Sequence, residues 1–187
     1  MGKKKDKFPN AGVYAGSFDP VTRGHLEIVF EAAKLMDTLY IVVAVNPGKS
    51  PLFTPEERVA MIEKDIRDVI RPRLQKAGIS CDIQVKQHQG LTAHFMKAHN
   101  APFYIRGLRM GTEFDAESAA MTVGRNEYKD FTPVFMTVAN PALQTTSSSI
   151  ARELEMFGGN SIKKFVTPQV AKKLKARVEE RGLKAVP

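Results

Sequence analysis

The stretch Gly12-Val13-Tyr14-Ala15-Gly16-Ser17-Phe18-Asp19-Pro20-Val21-Thr22-Arg23-Gly24-His25 runs from strand to loop to helix. A short apolar strand, about Gly12 to Tyr14, leads into a loop of small and turn-forming residues from Gly16 to Pro20. A helix follows from about Gly24 to Met36, with Leu26, Val29, Phe30 and Ala33 on one face. Gly16 lets backbone approach a ligand closely, and the free N–H groups and dipole at the helix start favour an anion. Taken alone, Gly16 and Gly24 could merely make turns and His25 could be an exposed helix-start residue.

The rest of the chain repeats the alternation. Leu39 to Val45 is a continuous apolar run rich in β-branched residues, as in a central strand buried on both faces, and Pro47-Gly48 ends it. Thr54-Pro55-Glu56-Glu57 is a helix start with a capping box, and that helix should run to about Ile70. Ile79 to Lys86 alternates like an edge strand, Thr92 to His99 is a short helix, and Phe103 to Ile105 is a fourth strand. Weak helical periodicity covers Thr112 to Tyr128, and Val134 to Val138 is a fifth strand. Ser147-Ser148-Ser149 caps a helix from Ile150 to Phe157, and a last helix follows Thr167-Pro168 with Val170, Leu174 and Val178 in register. The expected fold is α/β: a Rossmann-like, doubly wound, five-stranded parallel sheet with a C-terminal helical extension. One domain should occupy residues 11–182, between a basic tail at 1–10 and a short tail at 183–187.

Composition narrows the class. The 187 residues are 43% hydrophobic, enough for one sizeable core. Cys81 is the lone cysteine, so neither an intramolecular disulfide nor a cysteine-rich zinc site can form. No apolar run approaches a membrane span, and Met1-Gly2-Lys3-Lys4-Lys5 is followed by no signal-peptide core, so a soluble cytoplasmic protein without a membrane partner is expected. The net charge of +8 suits polyphosphates as well as nucleic acid, but much of it lies in terminal segments and no nucleic-acid motif is present. Nucleic acid is therefore not an expected partner.

In an open parallel sheet, ligands bind beyond the carboxyl ends of the strands. Gly16, Ser17 and His25 follow strand one, Asn46 and Lys49 strand two, and Gly90-Leu91-Thr92 strand three. Arg106 and Arg109 follow strand four, and Thr146 to Ser149 strand five. One rim thus collects glycines, hydroxyls, a histidine, a lysine and two arginines, a set that binds phosphate. Each has a plainer reading: Lys49 as a solvated lysine, the arginines paired with Asp115 or Glu117, the serines as helix caps. Their convergence favours a site. His88, His94 and His99 lack metal-ligand spacing, so no metal ligand is assigned.

The string Gly16 to His25 resembles the G-[ST]-F-D-P-x-[TH]-x-G-H signature of nucleotidyltransferases related to class I aminoacyl-tRNA synthetases. Thr22, in place of a first histidine, resembles the phosphopantetheine adenylyltransferase branch. Asn46 to Val59, Gly90-Leu91-Thr92, Arg106-Gly107-Leu108-Arg109 and Thr146-Ser147-Ser148-Ser149 look like further blocks of that family. The resemblance implies adenylyl transfer from ATP to 4′-phosphopantetheine, giving dephospho-coenzyme A and pyrophosphate, with Mg²⁺ brought by ATP. It implies catalytic roles for His25, Lys49 and Arg106. Ser17, Lys49, Thr92 and Arg106 would bind the acceptor. Ser17, Phe18, His25, Gly107, Leu108, Arg109, Glu117, Leu143, Gln144, Thr145, Thr146, Ser147, Ser148 and Ser149 would bind ATP. Similar enzymes are hexamers, so a homo-oligomer is implied too. Ala15, Arg23, Ala116, Val123-Gly124 and Leu143 to Thr146 depart from the family pattern. They leave open adenylylation of nicotinate or nicotinamide mononucleotide, or a non-catalytic nucleotide-binding relative.

Overall fold

Strands β1 (Ala11–Gly16), β2 (Thr38–Val45), β3 (Asp82–Gln89), β4 (Phe103–Leu108) and β5 (Thr132–Thr137) pair in parallel, in the order β3-β2-β1-β4-β5. The computed structural model describes residues 10–108, 121–138 and 140–184. Alternation within the central strands splits the core in two. Tyr14 of β1 and Leu39, Ile41 and Val43 of β2 face one layer, while Val13, Ala15 and Val42 face the other. β3 carries Asp82, Gln84, Lys86 and Gln87, the polar dress that keeps an edge strand from pairing further.

Helices cover both faces. The first layer holds α1 (Arg23–Ala33), α2 (Pro55–Asp65) and α3 (Arg71–Lys76), packed through Ile28, Met61, Ile62 and Leu74. The second holds α4 (Thr92–Ala98) and α5, helical over residues 121–127, with Phe95, Met96, Met121 and Phe131 over the sheet. The chain then returns to the first layer as α6 (Ser148–Met156), α7 (Ile162–Phe165) and α8 (Pro168–Glu180), whose Val170, Leu174 and Val178 are fully buried. Truncating such a residue to alanine costs about 2–5 kcal/mol. The expected doubly wound parallel sheet with a helical C-terminal extension is the architecture observed.

Several boundaries differ from the periodicity, for identifiable reasons. β4 runs on to Leu108 because Arg106, Gly107 and Leu108 continue the ladder opposite Phe135, Met136 and Thr137. Backbone pairing does not need the apolar side chains by which a strand is recognised. The helix expected to end near Ile70 continues through a π-helical turn, Ile66–Ile70, into α3. Pro72 explains the widening, since its ring would clash with the carbonyl four residues back in a regular helix. The Arg71 N–H reaches back to the Ile66 carbonyl instead.

At the end of α2, Asp65 is only 1% exposed. Its carboxylate accepts from the Thr167 hydroxyl at 2.8 Å and from Gln169 Nε2 at 2.9 Å, which ties α2 to the start of α8. Burial raises the Asp65 pKa above its ordinary value, and the two hydrogen bonds only partly oppose this. The native state then holds this proton at pH values where the unfolded chain has released it. Stability from this group is full below the unfolded value, about 3.9, and falls as pH rises through the folded value. Asp65→Asn keeps an acceptor for Thr167 and offers an N–H to Gln169 Oε1, which is buried without a partner. The variant should therefore gain on the wild type in melting temperature between about pH 4 and about pH 7. A melting-temperature difference constant across that range would contradict the assignment.

Candidate active site

The sheet reverses direction of growth between β1 and β4, and the crevice outside their carboxyl ends is where open α/β sheets bind ligands. A cleft of about 270 Å³ opens there, lined by residues 14–18 together with His25, Arg106, Gly107 and Ser147 to Ser149. Arg106 lies across the crevice, with Nη1 donating to the Ala15 carbonyl at 2.8 Å. Gly107 lets α1 close on β4, since a Cβ there would stand 3.0 Å from Ile28 Cγ1.

The loop of residues 17–20 is held from several sides. The Asp19 carboxylate, 6% exposed, accepts from the N–H groups of Leu52 at 2.8 Å and Phe53 at 2.9 Å. Arg58, 3% exposed, donates through Nη1 to the Ser17 carbonyl at 2.8 Å and through Nε to the Thr54 carbonyl at 3.3 Å. Its desolvation lowers the guanidinium pKa, and the Asp19 charge opposes that shift. From α6, Arg152 donates to the Asp19 carbonyl and Ser148 Oγ to the Pro20 carbonyl at 2.8 Å. Within this frame Phe18 takes a positive φ of 47°, a conformation that costs a bulky residue on the order of 1 kcal/mol or more. Its ring is buried and meets the His25 ring edge-on, with centroids 5.0 Å apart.

His25 owes its orientation to the way α1 begins. Thr22 is the N-cap, its hydroxyl accepting from the His25 N–H at 3.4 Å, while the Thr22 N–H donates to His25 Nδ1 at 3.0 Å. The pair is a capping box with histidine in the place of the usual glutamate. A backbone N–H can only donate, so Nδ1 carries a lone pair and the neutral ring bears its hydrogen on Nε2. The helix start thereby makes His25 a hydrogen-bond donor through Nε2.

Beside His25 lies a small space of about 30 Å³ bounded also by Tyr14, Gly24, Gly107, Leu143 and Thr146. The Thr146 hydroxyl is buried without a partner. Ser147 Oγ caps α6 by accepting from the Ile150 N–H at 3.1 Å, and Ser149 Oγ accepts from Arg152 Nη2 at 3.4 Å. Ser147 is therefore both helix cap and cleft wall.

The cleft and the small space together gather Ser17, Phe18, His25, Arg106, Gly107, Leu143, Thr146, Ser147, Ser148 and Ser149, with most of the Phe18 side chain buried in the core. Lys49 is exposed in the turn after β2, where its N–H donates to the Asn46 carbonyl, and does not line the cleft. Thr92 lines a separate cavity of about 360 Å³ between α4 and α5. Leu108 ends β4 outside the cleft lining; Thr145 is exposed, and Gln144 donates from its amide to the Val138 carbonyl. Arg109 and Glu117 lie outside the described residues.

Sequence reading missed Thr22, Arg58 and Arg152 as parts of the site, while Asp19 reads as a structural residue that shapes the turn before the helix, as its bonds to Leu52 and Phe53 show. Thr22-x-x-His25 carried a usable signal, a capping pattern that starts the helix at Arg23. Arg58 and Arg152 carried none, since their loop partners are 41 and 133 residues away. Of the remaining histidines, His94 pairs with Glu127 at 2.9 Å, His99 stacks on Phe95, and His88 contacts the Leu91 carbonyl. Among the described residues no group of three or more His, Cys, Asp or Glu could hold a metal ion.

Comparison with known proteins shows the family and the fold. The model of the cytidylyltransferase-like family matches residues 13–154. A phosphopantetheine adenylyltransferase of Sphingopyxis alaskensis is 39% identical over 92% of this chain and 96% of its own length. One from Thermotoga neapolitana is 33% identical over 90% of this chain and 96% of its own. Among solved structures, a Plasmodium falciparum nicotinic acid mononucleotide adenylyltransferase complexed with NaAD is similar with a TM-score of 0.64. That match covers 94% of this chain and 97% of the other at 16% identity, a likeness of fold alone.

The capping box has a direct spectroscopic consequence. Nitrogen-15 shifts of the ligand-free protein near neutral pH should show His25 with Nε2 protonated and Nδ1 bare. A neutral ring protonated on Nδ1 would contradict the orientation derived for this side chain.

Proposed function

Because this chain belongs to the phosphopantetheine adenylyltransferase family, within the cytidylyltransferase-like nucleotidyltransferases, we infer that it transfers the adenylyl group of ATP to 4′-phosphopantetheine in coenzyme A synthesis. The observation that carries the site assignment is the capped His25, which stands with Ser17, Arg106 and the serines of α6 around one cleft.

The acceptor phosphate is already anionic at neutral pH, so one of its oxygens can attack the α-phosphorus of ATP without a general base. The bond from the α-phosphorus to the bridging oxygen breaks, that oxygen leaves with pyrophosphate, and the products are dephospho-coenzyme A and pyrophosphate. Negative charge accumulates at the α-phosphate in the transition state, and preorganised donors aimed there supply the rate. His25, donating from Nε2, takes that role. Ser17 and the backbone of Phe18 would sit between the two substrates, and Ser147 to Ser149, with Gly107, Leu143 and Thr146, on the ATP side. Leu108, Gln144 and Thr145 are proposed as flanking backbone for ATP, and Arg109 and Glu117 are assigned to it by resemblance to the family.

Arg106 would hold the acceptor phosphate, with Lys49 swinging in from its exposed turn. Tyr104, two residues before Arg106 on β4, lines the cavity of Thr92, and the Arg106 guanidinium is 5.7 Å from the Tyr104 ring centre. Residues two apart share a strand face, so the pantetheine arm would run along β4 into that cavity. Mg²⁺ would arrive with ATP, held by phosphate oxygens and water and neutralising their charge, which fits a cleft walled by hydroxyls and backbone. A homo-oligomer, by family resemblance a hexamer, and a cytoplasmic setting complete the proposal. No described helix is long and apolar enough to cross a membrane.

Purified protein given ATP and Mg²⁺ should release pyrophosphate with 4′-phosphopantetheine and not with nicotinate or nicotinamide mononucleotide. His25→Ala should lower kcat by about 10²–10³ while ATP binding stays within a few fold. Lys49→Ala should raise the KM for phosphopantetheine much more than that for ATP. Release supported by a mononucleotide alone would reassign the acceptor, and unimpaired turnover of His25→Ala would remove it from the chemistry.

A further inference from the structure

The cavity beyond Thr92 has a chemistry unlike that of the phosphate cleft. Its walls are mainly apolar, with Leu91 and Val123 at an open rim, each 44% exposed. Gly124 and Phe131 form the side that belongs to α5 and the turn after it. That turn folds back tightly: the Tyr128 N–H donates to the Gly124 carbonyl at 2.9 Å, and the Phe131 N–H to the Tyr128 carbonyl at 3.0 Å. The Phe131 ring is thereby laid against the helix at position 124. A Cβ on Gly124 would stand 2.4, 2.5 and 2.8 Å from three of its ring carbons, distances that no real side chain tolerates. The ring occupies the space that any residue other than glycine would claim, and Tyr104 backs it with ring centroids 5.0 Å apart.

Resting on the reading of the cleft given above, we propose that Gly124 and Phe131 act as a pair to set acceptor specificity, seating the uncharged far end of the acceptor on the Phe131 ring and excluding a charged one. Glycine at 124 lets the ring lie flat against α5 and keeps the cavity open. The Phe131 face offers no hydrogen-bond partner, so a carboxylate brought there would lose its water without compensation. An uncharged thiol or a methyl thioether loses little on the same surface. Phe131 and Gly124 touch no reacting atom; their effect falls on binding of the arm.

The test compares wild type, Gly124→Ala, Phe131→Leu and the double variant in the pyrophosphate assay, with KM measured for each substrate separately. Gly124→Ala should push the ring into the cavity and raise the KM for 4′-phosphopantetheine by about tenfold or more, with kcat and the KM for ATP within about twofold. Adding Phe131→Leu, which makes room for the new methyl group, should bring that KM back towards the wild-type value. Wild type should use S-methyl phosphopantetheine within a few fold of the thiol, and 4′-phosphopantothenoylcysteine, which keeps the full arm and carries a carboxylate beside the thiol, about 10²-fold less well.

A wild-type enzyme silent on every acceptor would overturn the adenylyl-transfer reading itself. An active wild type whose acceptor KM is unmoved in Gly124→Ala, or moves equally with the KM for ATP, would overturn the specificity pair alone. A fall in melting temperature with unchanged KM values would do the same, marking Gly124 as a packing residue only. Should Gly124→Ala not fold, Phe131→Leu decides: unchanged discrimination between the thiol and the carboxylate contradicts the proposal.

Discussion

The buried carboxylate of Asp19 is the constraint on which the site depends. A carboxylate that leaves water must recover its hydrogen bonds, and here it takes the N–H groups of Leu52 and Phe53, with the Arg58 and Arg152 side chains bonded to the same loop. Those contacts join four parts of the chain: the loop after β1, the approach to α2, α2 itself and α6. Removing the carboxylate would strand two buried N–H groups, each costing about 1–3 kcal/mol, in the segment that must be rigid. With the loop fixed, Phe18 can hold its left-handed backbone and set its ring beneath His25. Phe18 and His25 are thus supported by the same buried charge.

From there the chemistry needs few groups. A phosphate nucleophile requires no base, so the protein's task is to align two anions that repel each other and to favour the charge on the phosphorus between them. The cleft offers donors for that task in Ser17, His25, Arg106 and Ser147 to Ser149. The capping box of α1 gives His25 its donor face, and Arg106 braces β1 against β4 where the acceptor phosphate is assigned. The Asp65 tie then sets α8 against α2, and Arg177 of α8 donates to the Leu52 carbonyl, beside the N–H that Asp19 holds. Even the C-terminal helix therefore reaches the loop through short links.

Much of this was legible from the residues, and the parts that were not share a cause. Leu39 to Val45 announced a central strand, Thr54-Pro55-Glu56-Glu57 a helix start, and the string from Gly16 to His25 the loop that carries the site. Each is a local pattern. What escaped was made by distance or by backbone alone: β4 extends through Arg106 to Leu108 on ladder bonds, and the widened turn before Pro72 looks in sequence like a helix end. Arg58 reads as an ordinary helix residue until the fold sets it under Ser17. Phe18, expected to contact ATP, lines the cleft while most of its side chain is buried in the core. Gly124 is legible only once Phe131 is seen against it.

The adenylyl group, and no other part of ATP, passes to the acceptor. Position-specific labelling tests it most directly. With ATP carrying radioactive phosphorus at the α position, the label should appear in a product that co-migrates with dephospho-coenzyme A. With the label at the γ position, it should appear only in pyrophosphate. Transfer of γ label to the acceptor would make the protein a kinase and contradict the account, as would release of label without any adenylylated product.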